Sequence, residues 1–464
     1  MKNSTRKILF AAVLSAMPLF AADTEVQKKP NIILILADDL GIGNVKVYGA
    51  DHFKTPNIDK LAAGGIRFEH CYSEPLCGPS RAKILTGRFN FRTGMTSNDP
   101  PPFMKPSNEI LMCTTLHNAG YVTASVGKWS QLPLEPADWG FDQYLTFPGS
   151  GIYWAGQKKG GKRWDGNYTE NRVKKILPQN VYMPDVMSRF AIDFITNATK
   201  DHKPFFLYYP MSHIHDPILK TPDSAPNASP NQLYQDNVAY MDKLVGELVG
   251  AVKGLKIENN TLIIFTGDNG TMHVYRTFCT VDGGKQLSGC KGTMLEGGAH
   301  VPMIANWPGT TPAGRISNDL VDSTDFFTTF TELAGGKLPS DRVMDGVSFT
   351  NLLHGKPFKN PRQWIFVLLG PEWYDENLKW KIHEDGTLND MSNAPFTEPV
   401  VTKSNTNPEV IAAARNSLQK VLDELNPKAG KVGVDNEKQR KFIQQRTRDA
   451  ESGVSSPDES QPGE

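Results

Sequence analysis

The chain has 464 residues, with 39% apolar and 22% charged content, which is ordinary for a globular protein and long enough for a large domain with a smaller companion. Fifty basic and fifty acidic side chains cancel to a formal net charge of zero, which excludes a nucleic-acid binder working through bulk charge. The cysteines, Cys71, Cys77, Cys113, Cys279 and Cys290, form no CxxC pair or Cys/His cluster, which excludes a zinc site of the usual spacing.

The chain opens on a targeting pattern. Lys2, Arg6 and Lys7 precede an apolar run over residues 8–22, broken only by Ser15 and Pro18 and closed by the small Ala21-Ala22. That pattern predicts a secretory signal peptide over residues 1–22. The run is short for a membrane span, and no later stretch could serve as one, so the expectation is a periplasmic or extracellular protein with no stable membrane association. An odd number of thiols in an exported chain leaves at least one unpaired. Cys279 and Cys290, flanking Asp282-Gly283-Gly284, are candidates to pair.

Residues 29–361 alternate short apolar runs with helical patterns. Residues 31–37, 121–126, 205–209 and 262–266 read as strands, the first and last almost continuously apolar, as expected for parallel strands covered on both faces. Between them lie helix candidates at 56–63, opened by Thr55-Pro56 and closed by Gly64-Gly65, and at 232–252. The expected architecture is α/β, a doubly wound domain. Residues 362–427 predict a smaller α+β unit, with strands at 364–369 and 378–383 under an amphipathic helix at 407–425. From 428 to 464 charge, Ser, Gly and Pro dominate, which predicts a disordered tail.

In an open parallel sheet, ligands bind beyond the carboxyl ends of the strands. Asp38 and Asp39 follow the first strand, and Asp268 and Asn269 follow the run at 262–266. One Asp-Asp pair is an ordinary cap or turn, but two such strand ends offer hard oxygen donors suited to Ca2+ or Mg2+. Two more strand ends lead to Lys128 and to Ser212-His213-Ile214-His215, which can neutralise an anionic substrate and move protons. Cys77-Gly78-Pro79-Ser80-Arg81 marks a helix start, whose free N–H groups favour an anion, although a lone cysteine is ordinarily a buried structural thiol. The segment 154–175 mixes Trp154, Trp164 and Tyr168 with seven Lys or Arg side chains. It reads either as a solvated basic loop or as a rim where rings stack on sugars and cations meet anions.

These residues resemble the formylglycine-dependent sulfatases of the alkaline phosphatase superfamily. Cys77-x-Pro-Ser-Arg81 followed by Leu85-Thr86-Gly87-Arg88 is similar to the signature that marks their cysteine for oxidation. Asp38-Asp39, Gly127-Lys128-Trp129, Gly140-Phe141-Asp142, His215, Gly267-Asp268-Asn269-Gly270, Lys291-Gly292, Glu296-Gly297-Gly298 and Asp345-Gly346 follow in family order.

The resemblance implies an alkaline-phosphatase-like fold: a large mixed, mostly parallel sheet with helices on both faces, and a smaller C-terminal α+β unit with an antiparallel sheet. It implies a cation, Ca2+ with Mg2+ as the alternative, held by Asp38, Asp39, Asp268, Asn269 and residue 77. A maturation enzyme would convert Cys77 to formylglycine. Arg81, Lys128 and Lys291 would stabilise the sulfuryl oxygens, and His215 would protonate the leaving alcohol. Ser150 and His300, with Trp154 of the basic segment, would contact substrate, which is expected to be a sulfated saccharide losing inorganic sulfate. The competing readings are a phosphodiesterase or phosphonate hydrolase of the same superfamily and a non-catalytic binder of sulfated glycan. Ser130 stands where the family usually has a histidine, and His213, His273 or His300 are the candidate substitutes.

Overall fold

The computed structural model describes residues 29–129, 132–148, 166–402, 407–431 and 437–452. The expected signal peptide lies outside these residues. The large sheet is built from β1 (Asn31–Ala37), β2 (Ile66–Tyr72), β3 (Val122–Lys128), β4 (Gln143–Phe147), β5 (Asn167–Glu170), β6 (Val173–Ile176), β7 (Phe205–Met211), β8 (Thr261–Gly267), β9 (His300–Asn306) and β10 (Arg315–Asp322). Their spatial order is β10-β2-β9-β8-β1-β7-β3-β4-β5-β6. The centre, β8-β1-β7-β3-β4, is parallel, while β9 runs antiparallel to both β8 and β2.

The run of apolar residues in β1 explains its central place. All seven residues are buried, and they alternate between two cores. Ile33, Ile35 and Ala37 pack under the helices Pro56–Ala63, Met183–Lys200 and Pro230–Gly254. Ile32, Leu34 and Leu36 pack under Cys77–Thr86, Met112–Asn118 and Asp325–Leu333. Each of the Ile and Leu side chains contributes about 1.5–3 kcal/mol by burial. Helices on both faces of a mixed, largely parallel sheet are the expected architecture.

The second sheet is antiparallel, with β11 (Ile365–Leu369), β12 (Glu372–Glu376), β13 (Trp380–His383) and β14 (Leu388–Asp390) in that order. Helix Pro408–Leu425 sets Ala414, Leu418 and Leu422, four residues apart, against Trp373, Trp380 and Ile382, with Phe89 and Phe91 of the large unit joining the same core. The other face carries Ile365, Val367, Leu369 and Tyr374 onto Tyr72, Leu76 and Leu320. Lys381 sits buried at this joint, 2.6 Å from Glu398, 3.1 Å from Glu376 and 3.7 Å from Glu296.

The described residues differ from the reading at two places. The stretch after residue 428, expected to be disordered, contains the helix Glu437–Ser452, whose Ile443 is buried beside Leu76 and Met294. Its anchors are long-range ion pairs and one apolar contact, which local composition does not reveal. Cys279 and Cys290 are not bonded: all five cysteines are free and buried, and Cys279 Sγ accepts from Asn44 Nδ2 at 3.2 Å. Among the described residues, no helix is long and apolar enough to cross a membrane.

Candidate active site

Register brings the predicted strand ends together. Ala37 pairs with Gly267 across the parallel β1–β8 ladder, so the residues that follow each strand emerge side by side. Asp268 N donates to Ala37 O at 3.0 Å, and Asp39 N donates to Asp268 Oδ1 at 2.9 Å. Asp39 has φ of +59°, in the left-handed region that Asp enters more readily than most residues, and this turns its carboxylate back over the sheet edge. Asn269 Nδ2 donates to Asp39 Oδ1 at 2.8 Å. Asn269 Oδ1 is buried and accepts no hydrogen bond among the described residues.

Cys77 is the first residue of the helix Cys77–Thr86 and is fully buried. Its Sγ lies 3.6 Å from Asp38 Oδ1 and 3.7 Å from Asp39 Oδ1. The turn before it is fixed by Ser80, whose Oγ donates to Leu76 O at 2.8 Å and accepts from Glu74 N at 3.2 Å. Asn98, which sequence reasoning missed, accepts from Gly78 N at 2.9 Å and so satisfies one of the free amides at this helix start. Nothing near Asn98 in sequence signals that role. Beneath the helix, Lys83 pairs with Glu74 at 3.2 Å and Asp322 at 3.0 Å, a second buried cluster missed for the same reason.

Each site carboxylate faces a cation. Arg81 Nε and Nη2 donate to Asp268 Oδ2 at 3.0 and 2.8 Å, Lys128 Nζ reaches both Asp38 oxygens at 2.9 Å, and Lys291 Nζ lies 2.8 Å from Asp39 Oδ1. His215 Nδ1 meets Asp216 O at 2.7 Å, which leaves Nε2 facing Asp39 Oδ2 at 3.9 Å. One ligand atom from each of Asp38, Asp39, Cys77 and His215 lies within 4.8 Å of the others. Three carboxylates against Arg81, Lys128 and Lys291 sum to a formal charge of zero. A bound divalent cation would leave a surplus of +2 in a dry site, which an anionic substrate would offset. The bare Asn269 Oδ1 and the hard oxygens around it fit Ca2+ or Mg2+.

The titration directions agree with this balance. Burial raises Asp38, but Lys128, His215 and Arg81 outweigh it and hold the carboxyl below its ordinary value; Asp39 is lowered in the same way, chiefly by Lys291. Asp268 is raised, because burial and the neighbouring Asp38 exceed what Arg81 returns. Burial, then Lys128 and Lys291, depresses His215. Burial also pushes the Cys77 thiol far up, so as a thiol this residue is protonated and a poor nucleophile.

The structure therefore brings together Asp38, Asp39, Cys77, Arg81, Lys128, His215, Asp268, Asn269 and Lys291. Ser130, Ser150 and Trp154 lie outside the described residues. The described end of the basic segment is the β5–β6 hairpin, where Arg172 pairs with Asp138 at 2.7 Å and Lys175 with Glu170 at 2.7 Å. Next to it a cavity of about 340 Å³ is lined by Trp129, Phe147, Pro148, Asn167, Tyr168 and Lys174.

His300, expected at the substrate, is buried among protein groups. Only 5% of it is exposed, its Nε2 faces Glu69 O at 2.7 Å, its Nδ1 faces Glu296 Oε1 at 3.1 Å, and its ring stacks on Tyr72. His213 is buried between Tyr182 and Tyr240, and His273 in the turn His273–Tyr275. Among the described residues, none of the three histidines weighed as substitutes, His213, His273 and His300, belongs to the group of Asp38, Asp39, Cys77 and His215.

Comparison with known proteins places these residues in context. A sulfatase family model matches residues 30–336. The chain is 35% identical to the N-acetylgalactosamine-6-sulfatase of Canis lupus familiaris, over 74% of this chain and 69% of that protein. It is 35% identical to arylsulfatase A of Homo sapiens, over 78% of this chain and 74% of that one. Among solved structures, Ps i-CgsB in complex with k-i-k-neocarrahexaose superposes with a TM-score of 0.71 at 28% identity, over 85% of this chain and 93% of that one.

Proposed function

Because the chain belongs to the sulfatase family of the alkaline phosphatase superfamily and is a sulfate ester hydrolase, we propose that it releases inorganic sulfate from a sulfated carbohydrate, with residue 77 acting as formylglycine beside a divalent cation. The observation that carries this reading is the placement of Cys77 Sγ at 3.6 and 3.7 Å from the Asp38 and Asp39 carboxylates, beside the Asn269 oxygen, which has no donor among the described residues.

Asp38, Asp39, Asp268 and Asn269 would hold the cation, Ca2+ or Mg2+, with residue 77 completing the set. When bound, the cation and the formylglycine would supply Lewis acidity and an activated hydroxyl. The chain's own residues do the rest. Arg81, Lys128 and Lys291 surround the position of Sγ and are placed to receive the charged oxygens of a sulfuryl group as charge develops on them. His215, with Nδ1 set against Asp216 O, keeps Nε2 toward the cluster, where it can hold the proton that the leaving alcohol needs. The burial that raises the Cys77 thiol keeps it protonated, which argues against direct use of its sulfur as the nucleophile.

A sugar substrate is favoured by the cavity beside the β5–β6 hairpin, where Trp129, Phe147 and Tyr168 offer apolar walls and Lys174 a cation. The relatives point the same way: one is named for N-acetylgalactosamine 6-sulfate, and one solved neighbour is in complex with a neocarrahexaose. The reading includes export by way of residues 1–22 and a formylglycine-generating enzyme in the producing cell.

The test is mass analysis of the peptide containing Cys77 from protein made with a maturation enzyme, beside sulfate release from a panel of defined sulfated saccharides. Conversion with turnover supports the reading. Unconverted Cys77 with full activity would overturn the formylglycine step, phosphate release exceeding sulfate release from matched esters would overturn the substrate class, and retention of glycan without turnover by converted protein would favour a binder.

A further inference from the structure

The helix Glu437–Ser452 touches three of the segments that carry the candidate site. Its Ile443 is 2% exposed and belongs to the cluster that contains Leu76, the residue before Cys77, together with Met294. Its last turn is tied to the chain beyond Asn269 by Arg276, whose Nη2 donates to Asp449 O at 2.9 Å. Arg446 lies over Gly292, the neighbour of Lys291: a Cβ placed on Gly292 would come 3.1 Å from Arg446 Nη1 and 3.5 Å from its Cδ. Gly292 has φ of +78°, so glycine both permits this backbone and leaves room for the arginine. Gly292 N in turn donates to Pro75 O at 2.8 Å, and Lys291 N to Thr271 O at 2.9 Å. On the other side the helix is fastened to the second sheet through Arg440–Glu384 at 3.0 Å and Gln444 Nε2 to Glu372 at 3.2 Å.

We propose that this C-terminal helix is a brace for the loop bearing Lys291, with Arg446 as a positioning residue that fixes the Lys291–Gly292 backbone against Pro75 and so keeps the Lys291 ammonium on Asp39. The inference rests on the reading that Lys291 acts on the sulfuryl group. Arg446 itself works through the loop: its guanidinium covers the backbone of Gly292 and its planar face rests near the Phe442 ring, 4.7 Å from the centroid. A displacement of the lysine by a fraction of an ångström is enough to weaken a group whose effect depends on alignment with the reacting atoms.

The experiment uses the full-length, formylglycine-loaded protein with 4-methylumbelliferyl sulfate as the probe. Arg446→Ala is expected to lower kcat about tenfold while KM stays within about twofold, and Arg446→Lys to recover part of the loss. In a Lys291→Ala background the same substitution should add almost nothing, because the group being positioned is gone. Amide exchange of a peptide covering residues 286–296 should speed up in Arg446→Ala, a readout that stands even if the probe is not turned over. A raised KM with kcat kept, a full additive loss in the Lys291→Ala background, or unchanged exchange would each overturn the proposal. Should Arg446→Ala fail to fold, Arg446→Lys carries the same kinetic and exchange comparison.

Discussion

The backbone N–H of Asp39 donates to Asp268 Oδ1 at 2.9 Å, so the turn after β1 and the carboxylate after β8 are one unit, 229 residues apart in sequence. Arg81 closes that unit from the helix that begins at residue 77, with two donors on Asp268 Oδ2. Removing Asp268 therefore does more than subtract one oxygen donor. Asp268→Ala leaves the buried Arg81 guanidinium with only Asp38 at 3.4 Å and Lys128 O at 3.3 Å, and should cost at most about 3–5 kcal/mol in stability together with nearly all activity. Asp268→Asn keeps the acceptor for Asp39 N and should fold far better while still losing turnover. Thermal unfolding and kcat/KM on both variants check this. An Asn variant that retains activity within twofold would remove Asp268 from the working set.

Chelation should both destabilise and inactivate the protein. A cation that binds only the folded chain stabilises it by about 2.7 kcal/mol at a hundredfold excess over Kd. Dialysis against a chelator is expected to lower Tm, and Ca2+ or Mg2+ to restore it. Asn269→Ala, which deletes the orphaned Oδ1, should shift the restoring concentration upward. Calorimetric titration of the chelated protein reads the affinity directly, and indifference of Tm to both metals would count against any cation at this site.

His215 should matter in proportion to the basicity of the leaving alcohol. A sugar alkoxide needs a proton and a nitrophenolate hardly does, so His215→Ala is expected to cost about 10²–10⁴ on a hexose sulfate and far less on a nitrophenyl sulfate. Parallel kinetics on the two esters decide the matter. Equal losses on both would show that the ring does something other than deliver a proton.

Burial raises Glu74 from an ordinary 4.5 to about 7, a shift that Lys83 only partly offsets. A carboxyl raised on folding binds its proton more tightly in the folded state, so its contribution to stability is complete below pH 4.5 and is lost as the pH rises through 7. The slope in that window is about 1.4 kcal/mol per pH unit from this group. Wild type should therefore lose stability relative to Glu74→Gln between pH 5 and 7, measured as the difference in denaturation midpoint at each pH. Parallel midpoints across that range would contradict the assignment.

Much of this was legible because the chemistry sits at strand ends. A run such as residues 31–37 has no polar side to show, so it must lie between parallel neighbours, and whatever follows it must lie at the ligand-binding edge. That logic found Asp38, Asp39, Asp268 and Asn269 without knowing which strands pair. It does not extend to groups whose partners come from across the fold. Asn98 at the start of the Cys77 helix, Lys83 with Glu74 and Asp322, and the commitment of His300 to Glu69 and Glu296 depend on register and docking, not on local pattern. The antiparallel insertion of β9 was equally hidden, since a buried antiparallel strand and a buried parallel one read alike. The helix Glu437–Ser452 escaped because a single buried isoleucine leaves no periodic stripe, and its remaining contacts are charged side chains that look like solvent-facing decoration.

Lys381 carries a consequence for how the molecule comes apart. One ammonium cannot balance Glu296, Glu376 and Glu398 if all three are ionised in a joint closed to water, and burial with the field of Glu296 keeps Glu376 protonated. Separating the two sheets would part Lys381 from Glu296 and expose Ile365, Val367 and Leu369 together with Tyr72 and Leu76, a loss of apolar burial that outweighs the proton Glu376 could then release. Partial opening is thus penalised from its first step, and the smaller sheet should melt with the larger one in a single transition, without a stage in which it hangs loose.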